Sequence, residues 1–414
     1  MLSDGGVGML VVSANWMFGD GTLSAAAAAP YASVWLRAVH RAAVRAGFRR
    51  DGSYRPLDDL QIVLAGDTFD CLTTTAWTAH LRPWHDGRAA RVARRAVLVE
   101  AMRRGRRLLA RFSRWARHGL AVPTADRRGR PVLTATTQVP VRVALLGGDR
   151  DSWLDEASSE AARYGLSIGT VWSDDRTTVR HGLESDPCVL PGEIRRSGGR
   201  GWQPTIGESV AVDLVARFIT AASATPAAPA CRPLVTALAA SGPLELPAVL
   251  GRWSDSARGS AAPADDHVEA VVTLWRRSVA AWHRETVRRP PASPAGVAVC
   301  DALAASFDAV GRGLGPRVGL DVRELLTPRV SVPAGTATVL GHVSADRAAD
   351  HGPAGVICLG PTRASGWSIG RGTRLPPTVV RRDHDWERLH IPGLDGDDAP
   401  LPATRFRPTI IDAA

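Results

Sequence analysis

Four short apolar segments of the chain each run, within three residues, into an aspartate or histidine that lies beside glycine. Segments of this length and composition are typical of β-strands, and several are separated by stretches with a helical period. They are residues 60–65, 141–146, 177–180 and 336–340, and a fifth segment, 9–13, opens the chain. The sequence therefore predicts an α/β fold.

The polar residues at these four strand ends are Asp67, Asp149, His181 and His342. Ligands of layered α/β sheets collect beyond the carboxyl ends of the strands, so we expect the four side chains to converge on one point. Two carboxylates and two imidazoles suit Mn, Fe or Zn better than Ca or a thiophilic metal. Each residue alone also has a plain structural interpretation, such as a helix cap for Asp67 or a turn residue for His342.

The order of these residues resembles the calcineurin-like metallophosphoesterases. The family pattern is Asp-x-His, Gly-Asp-x-x-Asp, Gly-Asn-His/Arg-Asp, a lone His often followed by Gly, and Gly-His-x-His. Blocks two to five have counterparts at Gly66–Asp70, Gly148–Asp151, His181-Gly182 and Gly341-His342. The third block has the Arg form, which is typical of the UDP-2,3-diacylglucosamine pyrophosphohydrolase branch. The resemblance implies a double β-sandwich flanked by helices and a phosphoester or pyrophosphate hydrolase site.

The chain departs from the family pattern at the ligands of one of the family's two metal ions. In the first block Ala14 and Trp16, or Asn15 and Met17 in the other register, stand at the ligand positions, and Ser344 replaces the second His of the last block. The ligands of the other metal correspond to Asp67, Asp149 (in place of Asn), His181 and His342. The resemblance thus implies one lost metal site and one retained site for a single divalent ion (Mn, Fe or Zn), or for none.

Two functions stay open at this point. The first is a hydrolase with one metal and weak activity, in which Arg150 forks onto the phosphate of a phosphorylated small molecule or a lipid-linked substrate. The second is a non-catalytic protein that binds an anionic ligand, a metal or a partner, because loss of one ion weakens activation of water. The resemblance does not identify the substrate or the oligomeric state.

Basic charge is concentrated in one segment. The chain has 51 Lys+Arg against 41 Asp+Glu, and every one of the 51 is Arg. The absence of Lys excludes Walker A sites, protein kinases and Schiff-base enzymes. Residues 88–118 hold the entire excess of +10, and their pattern predicts one amphipathic helix that Gly105 weakens.

That helix has several interpretations: packing of its apolar side on a sheet, an anionic-lipid surface, a nucleic-acid patch or a phosphate clamp. The rest of the chain is balanced in charge and carries no nucleic-acid motif, so nucleic acid is the less favoured partner.

Composition also predicts the organisation of the chain. Residues 1–187 and 331–375 form the core, and 188–330 form an insertion with helices near 206–222, 266–287 and 297–311. Residues 376–414 are expected to wrap the surface. The sequence shows no transmembrane run and no signal peptide, and its five scattered cysteines form no Cys-x-x-Cys pair. These features predict a cytoplasmic location.

Overall fold

The computed structural model describes a mixed α/β protein. The structure describes residues 8–23, 32–77, 81–182, 204–225, 228–239, 241, 246–258, 265–288, 294–311, 337–341, 356–359, 378–382 and 385–389. The strands are β1 (Gly8–Ser13), β2 (Phe18–Gly19), β3 (Asp59–Ala65), β4 (Phe69–Asp70), β5 (Leu120–Ala125), β6 (Pro131–Val139), β7 (Val141–Leu146), β8 (Ser167–Gly169), β9 (Val171–Ser173), β10 (Thr177–Arg180), β11 (Ala337–Leu340), β12 (Val356–Cys358), β13 (Thr378–Arg382) and β14 (Asp385–Arg388). The α-helices are α1 (Ala32–Ala46), α2 (Arg88–Arg104), α3 (Arg106–His118), α4 (Ser158–Arg163), α5 (Ile206–Ser209), α6 (Arg217–Ser223), α7 (Ala228–Ala239), α8 (Leu246–Arg258), α9 (Asp265–Arg288) and α10 (Pro294–Gly311).

A six-stranded sheet has the order β14-β13-β1-β3-β7-β8. Strands β1, β3, β7 and β8 are parallel to one another, whereas β13 and β14 are antiparallel to their neighbours. A second sheet has the order β12-β11-β10-β9, with β10, β11 and β12 parallel. The parallel strands end at one edge of each sheet, which is where the predicted polar residues follow.

Alternate residues of the central strands pack in two different cores, as the two-residue period of a strand requires. Met9, Leu60 and Val143 lie in a core that includes residues of α1, α2 and α3. Leu10 and Ala144, the chain neighbours of Met9 and Val143, lie in a second core that includes Val179 of β10 and Val339 of β11. The six-stranded sheet therefore has helices on one face and the four-stranded sheet on the other.

Residues 378–382 and 385–389, the part of the predicted surface tail that the structure describes, differ from their prediction. Instead of wrapping the surface, Thr378–Arg382 pairs with β1 inside the six-stranded sheet, and Asp385–Arg388 forms the strand beyond it. Val380 is buried in the helix-side core. The alternation in Thr378–Arg382 is short and lies among Pro- and Asp-rich sequence, which hides the strand pattern.

The Arg-rich segment 88–118 is two helices rather than one. Helix α2 ends at Gly105, and α3 begins directly after it. Leu98, Met102, Leu109 and Phe112 are buried in the helix-side core, so the segment packs its apolar side toward the sheet. This agrees with the predicted apolar stripe, and it leaves most of the arginines exposed.

Between residues 204 and 311 the described elements are all helical, and they include helices where the sequence predicts them, near 206–222, 266–287 and 297–311. The first helix passes from α5 through a π-helical segment, Val210–Ala216, into α6. These helices enclose a separate apolar core that includes Trp275, Trp282 and Phe307. A buried ion pair between Arg82 and Asp213 of the π-helical segment joins the insertion to the core domain. Among the residues described, no helix is long and apolar enough to cross a membrane.

Candidate metal centre

Three of the four predicted ligands meet at one point. One ligand atom from each of Asp67, Asp149 and His181 lies within 4.8 Å of the other two. Asp67 follows β3, Asp149 follows β7 and His181 follows β10, so the cluster joins both sheets. Asp67 and His181 are buried, and Asp149 is partly exposed. His342 lies outside the described residues.

The hydrogen bonding of His181 fixes which ring nitrogen carries a proton. Nδ1 lies 2.9 Å from the carbonyl oxygen of Ala65, which can only accept, so Nδ1 is the donor. In a neutral ring Nε2 then presents its lone pair. Nε2 faces Oδ1 of Asp149 at 3.0 Å and Oδ1 of Asp67 at 3.5 Å. A lone pair facing two carboxylates is unfavourable unless the ring is protonated or a cation lies between them.

These distances fit a bound cation. Two ligand atoms that are each about 2.1 Å from one ion lie about 3.0–3.4 Å apart in octahedral or tetrahedral geometry. A metal-binding histidine also commonly donates its second ring N–H to a backbone carbonyl, as His181 does to Ala65. The donor set, one imidazole and two carboxylates, is suited to Mn, Fe or Zn.

Charge around the cluster favours a cation as well. The carboxylates of Asp67, Asp70 and Asp151 are buried, and that of Asp149 is partly so. Arg150 is the fixed positive charge among them, and it pairs with Asp70 at 3.2 Å. Buried carboxylates in excess of cations are costly unless a further positive charge compensates them.

Two glycines allow the strand ends to approach this closely. A Cβ atom on Gly148 would lie 2.2 Å from Oδ1 of Asp67, and one on Gly66 would lie 2.1 Å from Nδ1 of His181. Gly66 also has a φ of +93°, a conformation that costs glycine little. The Gly-Asp order that the sequence pattern singles out is therefore a steric requirement of the site.

Backbone strain is concentrated at the same place. Among the described residues, the non-glycine residues with left-handed φ are Asn15 at 59°, Met17 at 54° and Asp67 at 52°. Their loops are hydrogen-bonded, because the N–H of Met17 donates to the Asp67 carbonyl and the N–H of Asn15 to that of Gly66. Such conformations cost about 1–3 kcal/mol each and tend to cluster at functional sites.

The carboxylate of Asp151 holds the loops that carry Asp67 and Asp149. Its carboxylate accepts hydrogen bonds from the N–H groups of Gly148 at 2.7 Å, Phe69 at 3.0 Å and Asp67 at 3.3 Å. Burial raises the pKa of Asp151 to about 6, against the lowering effect of the donors on Gly148 and Phe69. The sequence motif contains Asp151 as its last residue but assigns it no role. In the structure it ties the β3 and β7 loops together.

The first block has no metal-ligating geometry. Ala14 lies in the core between the sheets, and Trp16 is buried in the helix-side core, where it stacks on Phe18. The side-chain amide of Asn15 donates to the carbonyl of Gly341 at 2.9 Å, so it ties β1 to the end of β11. In this structure the side chains of Ala14 and Trp16 serve packing, and that of Asn15 serves a backbone contact.

Arg150 is placed differently from its predicted role on a phosphate. Its guanidinium is buried and donates to Asp70, Thr73 and the carbonyl oxygens of Ala239 and Ser241. Ala239 is the last residue of α7, so Arg150 connects the site to the helical insertion. Contact with a phosphate would require the guanidinium to exchange these partners.

Comparisons with known proteins provide no relative for this chain. No family model matches it, and no curated protein or solved structure does so either. Any assignment of function therefore depends on the geometry of the site and on the motifs of the sequence.

Proposed function

We propose that Asp67, Asp149 and His181 bind one divalent ion, Mn, Fe or Zn, and that the chain is a metallophosphoesterase-like protein with a single metal. The observation that carries the proposal is the convergence of these three side chains, from the ends of three strands in two sheets, within 4.8 Å. The resemblance of the sequence motifs names the reaction class, hydrolysis of a phosphoester or pyrophosphate. A phosphorylated small molecule or a lipid-linked phosphate is the substrate class that it implies.

An ion held there supplies Lewis acidity toward phosphate oxygens and lowers the pKa of bound water. The residues of this chain prepare the site for it. His181 is held by Ala65 with Nε2 directed at the two carboxylates, and Asp151 fixes the loops that carry those carboxylates. One ion with two carboxylates is close to neutral, so attraction of a phosphate is weaker than in a two-metal site. We therefore expect slow turnover.

A second candidate, binding without turnover, is favoured by two observations. Ala14 and Trp16 lie in hydrophobic cores where a second metal would need ligands, and Arg150 is engaged by the insertion rather than open to substrate. In that case the ion is structural, or the site binds an anionic ligand that is not hydrolysed.

Metal analysis and calorimetry test the metal site. Purified protein titrated with Mn and with Zn should bind about one ion per chain, and Asp67→Ala should abolish binding. Asp175→Ala, which removes a carboxylate with an 81% exposed side chain, is the matched control and should bind normally. Unchanged metal binding by the Asp67→Ala variant would contradict the proposed site.

An activity assay separates the two candidates. With Mn and bis-p-nitrophenyl phosphate, a hydrolase should release p-nitrophenol at a rate that Asp67→Ala removes and Asp175→Ala preserves. Metal binding without such turnover would favour the non-catalytic candidate.

A further inference from the structure

Two neighbouring helices on the same side of the six-stranded sheet contain no acidic residue. They are α1 and α3, which have 15 and 13 residues. The rings of Trp35 in α1 and Phe112 in α3 pack edge to face with centroids 6.0 Å apart, and both rings are buried in the helix-side core. The opposite sides of both helices therefore face outward together.

Exposed arginines occupy these outward sides. On α1 they are Arg37, Arg41 and Arg45, spaced one helical turn apart. On α3 the corresponding row is Arg107, Arg111 and Arg114, and Arg106 and Arg117 are exposed beside it. We refer to the six arginines 37, 41, 45, 107, 111 and 114 as the basic face. At 1.5 Å per residue, the two helices are each about 20 Å long.

The basic face has little internal compensation. In the part of the chain that the structure describes, its one ion pair is between Arg45 and Glu387, at 4.0 Å and with both side chains largely exposed. Helix α2 shows the contrast, because Arg94, Arg95 and Arg103 pair with Glu156, Glu160 and Glu100. The basic segment of the sequence thus divides into α2, which is partly neutralised by these glutamates, and α3, which is not. Helix α1 adds its arginines to those of α3.

The geometry favours a polyanion with regularly spaced charges over a membrane. A helix that lies in a membrane interface inserts its apolar side, whereas the apolar sides of α1 and α3 are buried on the sheet. None of the large exposed hydrophobic residues among those described lies in α1 or α3. Guanidinium groups bind phosphate oxygens in pairs, and rows of them suit a phosphate backbone.

We propose that the basic face binds nucleic acid through its phosphate backbone, without reading sequence. The face carries no exposed aromatic side chain on which a base could stack, so the contacts are electrostatic and the affinity depends on salt. The absence of a sequence-reading motif does not argue against binding of this kind, which needs only charge in the right places. The inference concerns a surface other than the metal centre and does not depend on the proposed function.

Fluorescence anisotropy with a fluorescein-labelled mixed-sequence 20-base-pair DNA duplex tests the proposal. For six arginines we expect a slope of log K against log salt of about −3 to −5, hence a loss of affinity of about 60- to 1,000-fold between 50 and 200 mM NaCl. Two triple variants, Arg37→Gln/Arg41→Gln/Arg45→Gln and Arg107→Gln/Arg111→Gln/Arg114→Gln, should each weaken binding at least tenfold and flatten the slope.

A matched triple variant controls for net charge. It removes three exposed arginines outside the face, Arg127→Gln/Arg277→Gln/Arg284→Gln, and should bind within threefold of the parent. Equal weakening by the control would overturn the proposal, since total charge would then explain binding. So would absence of binding at 50 mM NaCl, or tight binding to vesicles with 30% phosphatidylserine that the duplex does not displace. Circular dichroism on all three variants establishes that each is folded.

Discussion

The backbone N–H of Arg150 donates to Oδ1 of Asp67 at 3.0 Å, so the residue next to the proposed metal ligand Asp149 holds the proposed ligand Asp67. The guanidinium of the same residue donates hydrogen bonds to the carbonyl oxygens of Ala239 and Ser241 in the insertion. Its backbone therefore serves the metal centre, while its side chain joins the core domain to the helices. The two roles can be separated experimentally, because a substitution changes only the side chain.

We expect Arg150→Met to reduce the free energy of unfolding by about 3–5 kcal/mol, because it leaves the buried Asp70 carboxylate without its cation. Affinity for Mn should change less than tenfold, since the N–H to Asp67 remains. Urea denaturation and calorimetry measure the two quantities. The double variant Arg150→Met/Asp70→Asn also removes the unpaired carboxylate charge. We expect it to recover at least part of the lost free energy of unfolding. Unchanged stability in the single variant would show that the guanidinium is not committed to these contacts.

Gly148→Ala should disturb the metal centre. The added Cβ would lie 2.2 Å from Oδ1 of Asp67, so that carboxylate must move. We expect Mn affinity to fall by about 10- to 100-fold, as for other losses of ligand support. Gly147→Ala is the control, because its Cβ would meet nothing closer than 3.8 Å. Equal affinities in the two variants would contradict the geometry described for Asp67.

Removal of metal should destabilise the protein. A ligand at 100 times its dissociation constant stabilises the folded state by about 2.7 kcal/mol, so dialysis against EDTA should lower Tm by about 3 °C. Readdition of Mn or Zn should restore Tm. In His181→Gln the Tm should be the same with and without metal, and a metal-dependent Tm in that variant would place the ion elsewhere.

The pair between Asp174 and Arg381 predicts a dependence of stability on pH. Asp174 precedes β10 and Arg381 lies in β13, so the pair links the two sheets at 3.2 Å. Burial alone would raise the pKa of Asp174, but hydrogen bonds from Arg381 and the Arg176 N–H outweigh it and hold that pKa below 3.8. A lowered carboxyl pKa contributes stability above the unfolded pKa, and that contribution disappears as pH falls through the folded pKa.

Asp174→Asn should therefore cost about 1 kcal/mol at pH 7, a modest value because the pair is partly exposed. Urea denaturation between pH 3 and 7 should show the parent and variant curves converging at the acid end. A difference that is constant over this range would mean that the charge of Asp174 contributes nothing.

The sequence predicts strands well where apolar runs end in a special residue. The runs before Asp67, Asp149 and His181 are β3, β7 and β10, within one residue of their predicted bounds. Local chemistry explains this agreement, since buried parallel strands require apolar runs and sharp turns require glycine. The convergence of the three residues follows from the common edge at which parallel strands end.

Long-range contacts were beyond the reach of sequence reasoning. The guanidinium of Arg150 meets carbonyls about 90 positions away, and no local pattern reports which acceptor a buried arginine finds. The strand at Thr378–Arg382 was missed because it is short and gains its stability from β1. The basic row on α1 does not stand out in the charge along the chain, because the basic face is assembled in space from two helices that are separated in sequence.

The parallel pairing of β10 with β11 has a consequence for the order of folding. Residues 181–336 separate these neighbours, and closing a flexible loop of that length costs about 4–5 kcal/mol of chain entropy. Prior folding of the insertion helices shortens the free loop, so the second sheet is expected to form after them. His181 lies at the end of β10, so we expect it to reach Asp67 and Asp149 when this sheet forms. An ion bound there would thus stabilise the chain after both sheets have formed, and it would not assist the initial collapse.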